Sequence, residues 1–197
     1  KPKVNPKAQD LGLYILGGKG KYGWSVPNQV QRLSDKHSLN GDELVKSSQL
    51  TRRVDNNAVQ DGYNLYQQYF ILSDEGEWTS ITQGMNTDTR RARRYHWHSP
   101  SVRSFVDAPH TGIVGEKGKP LLNLTDSKAD MLRTNMVGLT KEKPAEVLDT
   151  YRGIAMPNRH DVREEDVNMT RLGSVLNMAY NRDIENFEDL VMMKGVG

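Results

Sequence analysis

The chain has 197 residues, of which 36% are hydrophobic and 26% charged, and its formal net charge is only +2. A chain of this length can form one large domain or two small ones, and its lack of cysteine excludes disulfides and thiolate metal sites. We find no apolar run that could span a bilayer and no signal-peptide pattern. The sequence therefore predicts a cytoplasmic protein without a membrane partner, and any nucleic-acid signal must lie in the distribution of its charges.

The first predicted element is a buried strand over residues 11–16, which leads into a glycine-rich loop over residues 17–20. Lys19 lies between two glycines of this loop and Lys21 follows it, so charge and close backbone approach could both serve a phosphate. The alternative is a flexible turn with solvated lysines. The loop has neither Walker-type spacing nor the glycine spacing of a dinucleotide site, so we expect no nucleotide cofactor.

Two helices are predicted next. The first starts at Ser25 with Pro27 in its first turn, and the second runs from Gly41 toward residue 61. Positions three and four apart are neighbours on a helix, so the end of the second helix would carry one polar stripe. Its members are Asn57, Asp61 and Asn64, with Gln60 beside them.

This stripe is the predicted metal site. Carboxylate and amide oxygens suit Mg²⁺ or Mn²⁺, and one or two carboxylates can hold such an ion together with substrate phosphates. We predict Asp61 as the main ligand, Asp55 or Glu77 as a second, and Gln60 as a group that orients water. The alternative is a solvated helix face with local capping roles, which Asn and Asp favour.

A β-hairpin is the next prediction, because residues 63–72 and 78–85 are rich in aromatic and branched side chains. A tight turn with Glu75-Gly76 at its tip would join the two strands. If Asp74 faces Glu77, the register places Gln68 opposite Gln83, and a slip of one residue would exchange the two faces. Gln83 then joins the candidate catalytic residues.

Residues 87–97 are predicted to form a short basic helix that is capped by Asn86 or Thr87. Arginine is dense here, and guanidinium groups bind phosphates in bidentate fashion. The candidate phosphate contacts are Arg90, Arg91 and Arg94, and Tyr95 is the candidate for stacking on unpaired bases. The alternative is a solvated helix. His96 or His110 could handle a proton, because imidazole titrates near neutrality.

Helical patterns replace strand patterns in the last third of the chain, so we predict a domain boundary near residue 125. A second hairpin is expected from residues 111–114 and 121–124. Helices are expected over residues 127–139, 144–151, 167–181 and 186–193. We thus predict an α+β domain over residues 1–125, with a mixed or antiparallel sheet, and a helical region over residues 126–197.

Residues 186–197 resemble the first half of a helix-hairpin-helix, a module that grips nucleic-acid backbone. Gly195 and Gly197 would let backbone N–H groups approach a phosphate oxygen. The chain ends where the second helix would begin, so we expect it to be part of a longer protein. The alternative is a helix that ends in a glycine cap.

An ordered series of motifs carries a family resemblance. The motifs are LYILGGKG at 13–20, VDNNAVQDG at 54–62, DEGEW at 74–78, QGMN at 83–86, RARRYHW at 91–97, Met156-Pro157, Arg159-His160 and KGVG at 194–197. Together they resemble the prokaryotic domain-of-unknown-function family 763, across nearly the whole chain. The resemblance implies no established activity.

The leading functional hypothesis is therefore drawn from the residues. It is a DNA-binding and DNA-processing protein, with metal-dependent phosphodiester hydrolysis in repair or replication as the enzyme hypothesis. The first alternative is a non-catalytic DNA-binding or scaffolding protein that partners a nuclease or helicase. A second alternative is a small-molecule phosphate enzyme. Single- and double-stranded DNA both stay open as partners, as does a homodimer.

Overall fold

The computed structural model describes residues 1, 3–116, 122–153 and 167–196, and its central feature is an antiparallel sheet. The strands are β1 (Leu13–Lys19), β2 (Val59–Gln60), β3 (Asn64–Ser73), β4 (Trp78–Asn86), β5 (Arg91–His98), β6 (Gly112–Val114) and β7 (Leu122–Asn123). The five-stranded sheet has the order β1-β3-β4-β5-β6, and β2 pairs separately with β7. With helices packed on this sheet, the predicted α+β class and antiparallel sheet are confirmed.

Helices cover one face of the sheet. The helices of this part are α1 (Ala8–Leu11), α2 (Lys21–Trp24), α3 (Val26–His37) and α4 (Gly41–Arg53), and α4 continues into a π-helical turn over Val54–Ala58. The covered side, called the inner face, carries the paired row Leu16, Phe70, Ser80 and Trp97. The Thr51 hydroxyl of α4 lies 3.0 Å from that of Ser80, which fixes this helix against β4.

The opposite side, called the outer face, carries a second row of directly paired residues: Lys19, Gln67, Gln83 and Arg94. Directly opposed residues of antiparallel strands point to the same side of a sheet. Neighbouring strands lie about 4.8 Å apart, so the row from β1 to β5 is about 14 Å long. It lies at the end of the sheet that also holds the β4–β5 turn.

The predicted hairpin is present, but its register is wrong by one residue. Gln83 pairs with Gln67, whereas Gln68 pairs with Thr82 and points into the inner face. The reason is the turn: Ser73 N–H donates to the Glu77 carbonyl at 2.8 Å, which leaves a three-residue loop instead of a two-residue one. Gly76, at φ 92°, takes the left-handed position that such loops need.

The basic helix predicted over residues 87–97 is also wrong. The Asn86 side chain accepts from the N–H groups of Asp88 and Thr89, and Arg90 at φ 57° completes a turn into β5. The decisive pattern is alternation with period two, which places Tyr95 and Trp97 in the core. Packing of these rings outweighed the helical preference of the arginines.

Three smaller predictions need correction. The glycine-rich loop starts later than expected, because β1 continues to Lys19 and only Gly20 leaves the sheet. The second helix ends before Asp61, which follows β2, so the helical stripe does not form. The second hairpin is absent, because β6 pairs with β5 and β7 with β2; residues 117–121 lie outside the described part.

The chain forms two compact units, residues 1–129 and residues 130–196. They meet in the sequence after residue 129, whereas the predicted boundary is near residue 125. The second unit contains α5 (Asp130–Leu139), α6 (Pro144–Gly153), α7 (Met169–Tyr180) and α8 (Phe187–Met192), which match the predicted helices. The family motifs at residues 156–157 and 159–160 lie outside the described residues. Across the described chain, no helix combines the length and apolar character needed to cross a bilayer.

Candidate functional site

Asp55 lies at the centre of a buried polar network. The π-helical turn places its carboxylate over the inner face, where it is fully buried. It accepts hydrogen bonds from the Thr82 hydroxyl at 2.6 Å and the Trp97 indole N–H at 2.9 Å. The His110 Nε2 atom lies 2.6 Å from its other oxygen. These partners replace the water that burial removed, so the carboxylate serves the fold.

Asp61 has a similar environment at the end of the same face. Its Oδ2 atom accepts from Tyr95 Oη at 2.6 Å and from Arg93 Nη1 at 2.7 Å, and Oδ1 accepts from the Tyr63 N–H at 3.3 Å. Burial, followed by the hydrogen bond to Asp61, raises the pKa of Tyr95 well above its ordinary value. Tyr95 therefore stays protonated and donates to the carboxylate at neutral pH.

The predicted metal ligands do not converge. Asp55 and Asp61 are each occupied by protein donors, and Glu77 lies beside the β3–β4 turn, at the far end of the ten-residue strand β3. At 3.3 Å per residue that strand is about 30 Å long. Among the described residues, no three His, Asp or Glu side chains form a group that could hold a metal ion.

The predicted proton-transfer residues lie on opposite sides of the sheet. His110 belongs to the Asp55 network of the inner face, whereas His96 is paired with Ile81 on the outer face. The His96 Nε2 atom is buried and has no hydrogen-bond partner within the described chain. Gln60 is exposed in β2, which pairs with β7 in a small sheet that contains neither histidine. Its side-chain amide donates to the Asn57 carbonyl at 3.5 Å.

Gln83 and Arg94 do meet, as members of the outer row. The Arg94 Nε–H donates to Gln83 Oε1 at 2.5 Å, and the Gln83 amide nitrogen donates to the Tyr66 hydroxyl. Because Gln83 holds the Nε side of the guanidinium, the exposed remainder of Arg94 is oriented along the surface. A bulge between Leu65 and Gln67 brings Tyr66 to this side.

Further predicted cations lie at the same end of the sheet. Arg90 is exposed in the β4–β5 turn, which also carries the carboxylate of Asp88. Arg91 is exposed at the start of β5 and forms an ion pair with Glu116. Lys21 is exposed in α2, one residue beyond Gly20.

Tyr95 is not available for the predicted stacking on bases, because it is fully buried. Sequence reasoning instead missed two exposed aromatic residues of α2, Tyr22 and Trp24. Their signal is the KYGW run directly after the glycine-rich segment, where a lysine precedes two aromatic residues separated by a glycine. That signal was obscured because the run is too short for periodicity to show which side chains are exposed.

The predicted half hairpin lies in the second unit. Helix α8 begins with a capping box between Asn186 and Asp189 and buries Leu190 and Met193. Gly195, at φ 94°, follows in a turn, and Gly197 lies outside the described residues. A role in binding phosphate for these glycines stays a prediction.

The fold and motifs define an α+β protein with a buried acid network on one side of its sheet and a cationic row on the other. A family model described as "Protein of unknown function (DUF763)" matches residues 1–197, so the chain belongs to this family. The searches of curated proteins and of solved structures returned no match.

Proposed function

We propose that this protein binds DNA non-catalytically, in the cytoplasm, through the cationic outer row of its sheet. The observation that carries the proposal is the alignment of Lys19, Gln67, Gln83 and Arg94 across four adjacent strands. The two cations at the ends of this row, about 14 Å apart, can contact phosphate groups of one strand, and the buried Gln83 orients Arg94 for that contact. Arg90, in the adjoining β4–β5 turn, extends the positive surface beyond that row, whereas alternation along β5 places Arg91 on the side of Arg93.

The burial of Asp61 favours this binding role over the metal-dependent nuclease. A catalytic ligand must offer free lone pairs to the ion, but Arg93, Tyr95 and the Tyr63 N–H already occupy both oxygens of Asp61. The sheet also separates Asp61 from Lys19 and Arg94, which would have to neutralise the same phosphate. The nuclease scheme requires these three side chains around one phosphodiester group.

A small-molecule phosphate enzyme is less well supported. A cavity of about 390 Å³ lies between the start of α4, the β3–β4 turn and the segment after β5. Its lining includes the carboxylates of Glu43 and Glu75 and, among the residues that the structure describes, no lysine or arginine. Two carboxylates without a cation repel a phosphate group.

The test is binding of labelled DNA by the protein across a range of salt concentrations. Each lost phosphate contact lowers the slope of log affinity against log salt by about 0.9 for a duplex and about 0.7 for a single strand. We expect this reduction for Arg94→Gln and Lys19→Gln, with binding about 5- to 8-fold weaker at about 0.1 M salt. The matched control is Lys46→Gln, which removes an exposed lysine of α4.

Incubation with Mn²⁺, Mg²⁺ or a chelator separates binding from cleavage. We expect the affinity to persist in the chelator and the DNA to stay intact in either metal. Equal slopes for all three variants would refute the proposed surface. Metal-dependent cleavage that disappears in Asp61→Asn would refute the non-catalytic role.

A further inference from the structure

Helix α2 presents two aromatic side chains to solvent beside the edge strand β1, whose last residue is Lys19. The exposed fractions are 58% for Tyr22 and 72% for Trp24. The other tryptophans of the chain, Trp78 and Trp97, are buried. Only Gly20 separates α2 from Lys19 at the end of the edge strand β1. The aromatic pair therefore lies around this edge, on the helix-covered side of the sheet, next to the cation that ends the proposed row.

Trp24 is fixed in this exposed position. The guanidinium group of Arg52 lies 3.6 Å from the centroid of the indole ring and covers one of its faces. Burial lowers the pKa of Arg52, and its Nη1 atom has no hydrogen-bond partner within the described chain. Stacking on Trp24 therefore compensates a cation that has lost much of its water.

The glycine at position 23 lets α2 come close to Arg52 of α4. A Cβ atom on Gly23 would lie 3.1 Å from Arg52 Nη1 and 3.0 Å from the carbonyl oxygen of Gly18. A larger residue at position 23 would push α2 away from α4. The absence of a side chain at this position lets the ring and the guanidinium stack while α2 stays against β1.

The chemistry around the indole is cationic. The Lys21 ammonium group lies 5.7 Å from the Tyr22 centroid, Arg52 stacks on Trp24, and Lys19 precedes both. A ligand for this surface needs flat rings for stacking and negative charge close to them. Unpaired bases on a phosphate backbone satisfy both requirements, whereas the bases of a duplex are already stacked on one another.

We propose that Trp24 stacks on an unpaired base, which makes single-stranded nucleic acid the preferred ligand of this protein. The inference rests on the proposed function, since a strand that contacts Lys19 of the outer row reaches Trp24 around the edge strand β1. Arg52, Trp24 and the base form a three-layer stack in which the pre-positioned indole loses little freedom on binding. Tyr22 offers a second ring for the neighbouring base.

The experiment titrates the protein with three ligands of equal length: an oligothymidine strand, an abasic strand with the same phosphates, and a duplex. Stacking on the single exposed tryptophan quenches its fluorescence, while the two buried tryptophans give a constant background. We expect quenching with oligothymidine, and little change with the abasic strand or the duplex. Affinity is measured in parallel by the anisotropy of labelled ligands.

Trp24→Ala should weaken the binding of oligothymidine by about 5- to 150-fold, the range found when one stacking side chain is removed. It should leave the affinity for the abasic strand unchanged. Trp24→Phe should weaken the binding of oligothymidine less than Trp24→Ala does, because phenylalanine keeps a flat ring. Tyr180→Ala, which removes an exposed aromatic of α7, is the matched control and should bind like the parent protein.

The outcomes separate the two proposals. Equal affinity for oligothymidine and the abasic strand, unaffected by Trp24→Ala, overturns the stacking inference and leaves phosphate binding intact. Failure to bind any of the three ligands overturns both proposals. A fluorescence change with vesicles of anionic phospholipid, but with none of the nucleic acids, would assign α2 to a membrane surface and also overturns the inference.

Discussion

The two faces of the sheet use similar side chains for opposite purposes, and the adjacent arginines of β5 show the difference. Arg93 points to the inner face, where it forms a largely buried ion pair with Asp61. Arg94 points to the outer face, where its Nε–H donates to the uncharged amide of Gln83 and the residue is exposed to solvent. Alternation along one strand therefore decides whether a cation stabilises the fold or remains available to a ligand.

The largest expected effect is the loss of Asp55. In Asp55→Ala, the buried Thr82, Trp97 and His110 donors lose their acceptor, so we expect the free energy of unfolding to fall by about 3–5 kcal/mol. Urea denaturation measures this change. Asp10→Ala, which removes an exposed carboxylate of α1, should change the same quantity by less than about 0.5 kcal/mol. Equal effects for the two variants would mean that the inner network does not stabilise the fold.

Arg93→Gln and Arg94→Gln are matched controls for each other. Breaking the buried pair in Arg93→Gln leaves Asp61 short of a cation, and should lower the free energy of unfolding by about 3 kcal/mol. Arg94→Gln should leave the stability within about 0.5 kcal/mol and lower only the affinity for DNA. The measurement is urea denaturation and DNA binding for both proteins. The assignment of the two faces is wrong if Arg93→Gln lowers the DNA affinity and Arg94→Gln lowers the stability. It is also wrong if both variants change both quantities equally.

The raised pKa of Tyr95 predicts an alkaline effect. The folded protein keeps the phenol proton when the unfolded chain releases it near the ordinary pKa of 10.0. The stabilisation is therefore complete below pH 10 and declines as the pH rises toward the higher folded pKa. The slope is about 1.4 kcal/mol per pH unit.

Tyr95→Phe should flatten this decline, because phenylalanine has no proton to release. Denaturation of both proteins from pH 8 to about pH 11 compares the slopes, with Tyr180→Phe as the exposed control. Parallel slopes for the parent and Tyr95→Phe would show that the Tyr95–Asp61 contact does not hold the proton.

The smallest expected effect concerns the exposed ion pair of Arg91 with Glu116. Pairs of this kind contribute less than about 1 kcal/mol, because water screens both charges. Glu116→Gln should leave the free energy of unfolding nearly unchanged. It should also leave the affinity for DNA nearly unchanged, because Arg91 lies on the same side of β5 as Arg93. A clear increase in affinity would instead place the released Arg91 on the binding surface.

Much of the fold followed from local patterns, and the exceptions share a cause. The helices of the second unit and the strands of the central hairpin were predictable, because each has a long, consistent period. The register was not, because a three-residue turn in place of a two-residue turn exchanges the faces of Gln67 and Gln68. The site depended on that exchange, since it places Gln67 rather than Gln68 in the outer row.

The strand at residues 91–98 shows the limit most clearly. Its arginines favour a helix in isolation, while the alternation of Tyr95 and Trp97 favours a strand, and the sequence contains both signals. The buried partners of these rings, Asp55 and Asp61, come from distant positions in the chain. No local pattern could weigh those contacts against the helical preference.

The sequence by itself determined the family, the α+β class and the types of residue that could contact a phosphate. Lys19, Gln83 and Arg94 were identified from composition and spacing alone. The tertiary structure decided which of the candidates act together, because strand pairing joins residues from four strands into one row. It also enclosed Asp55 and Asp61 within protein donors, since a carboxylate removed from water must find hydrogen bonds wherever the fold supplies them.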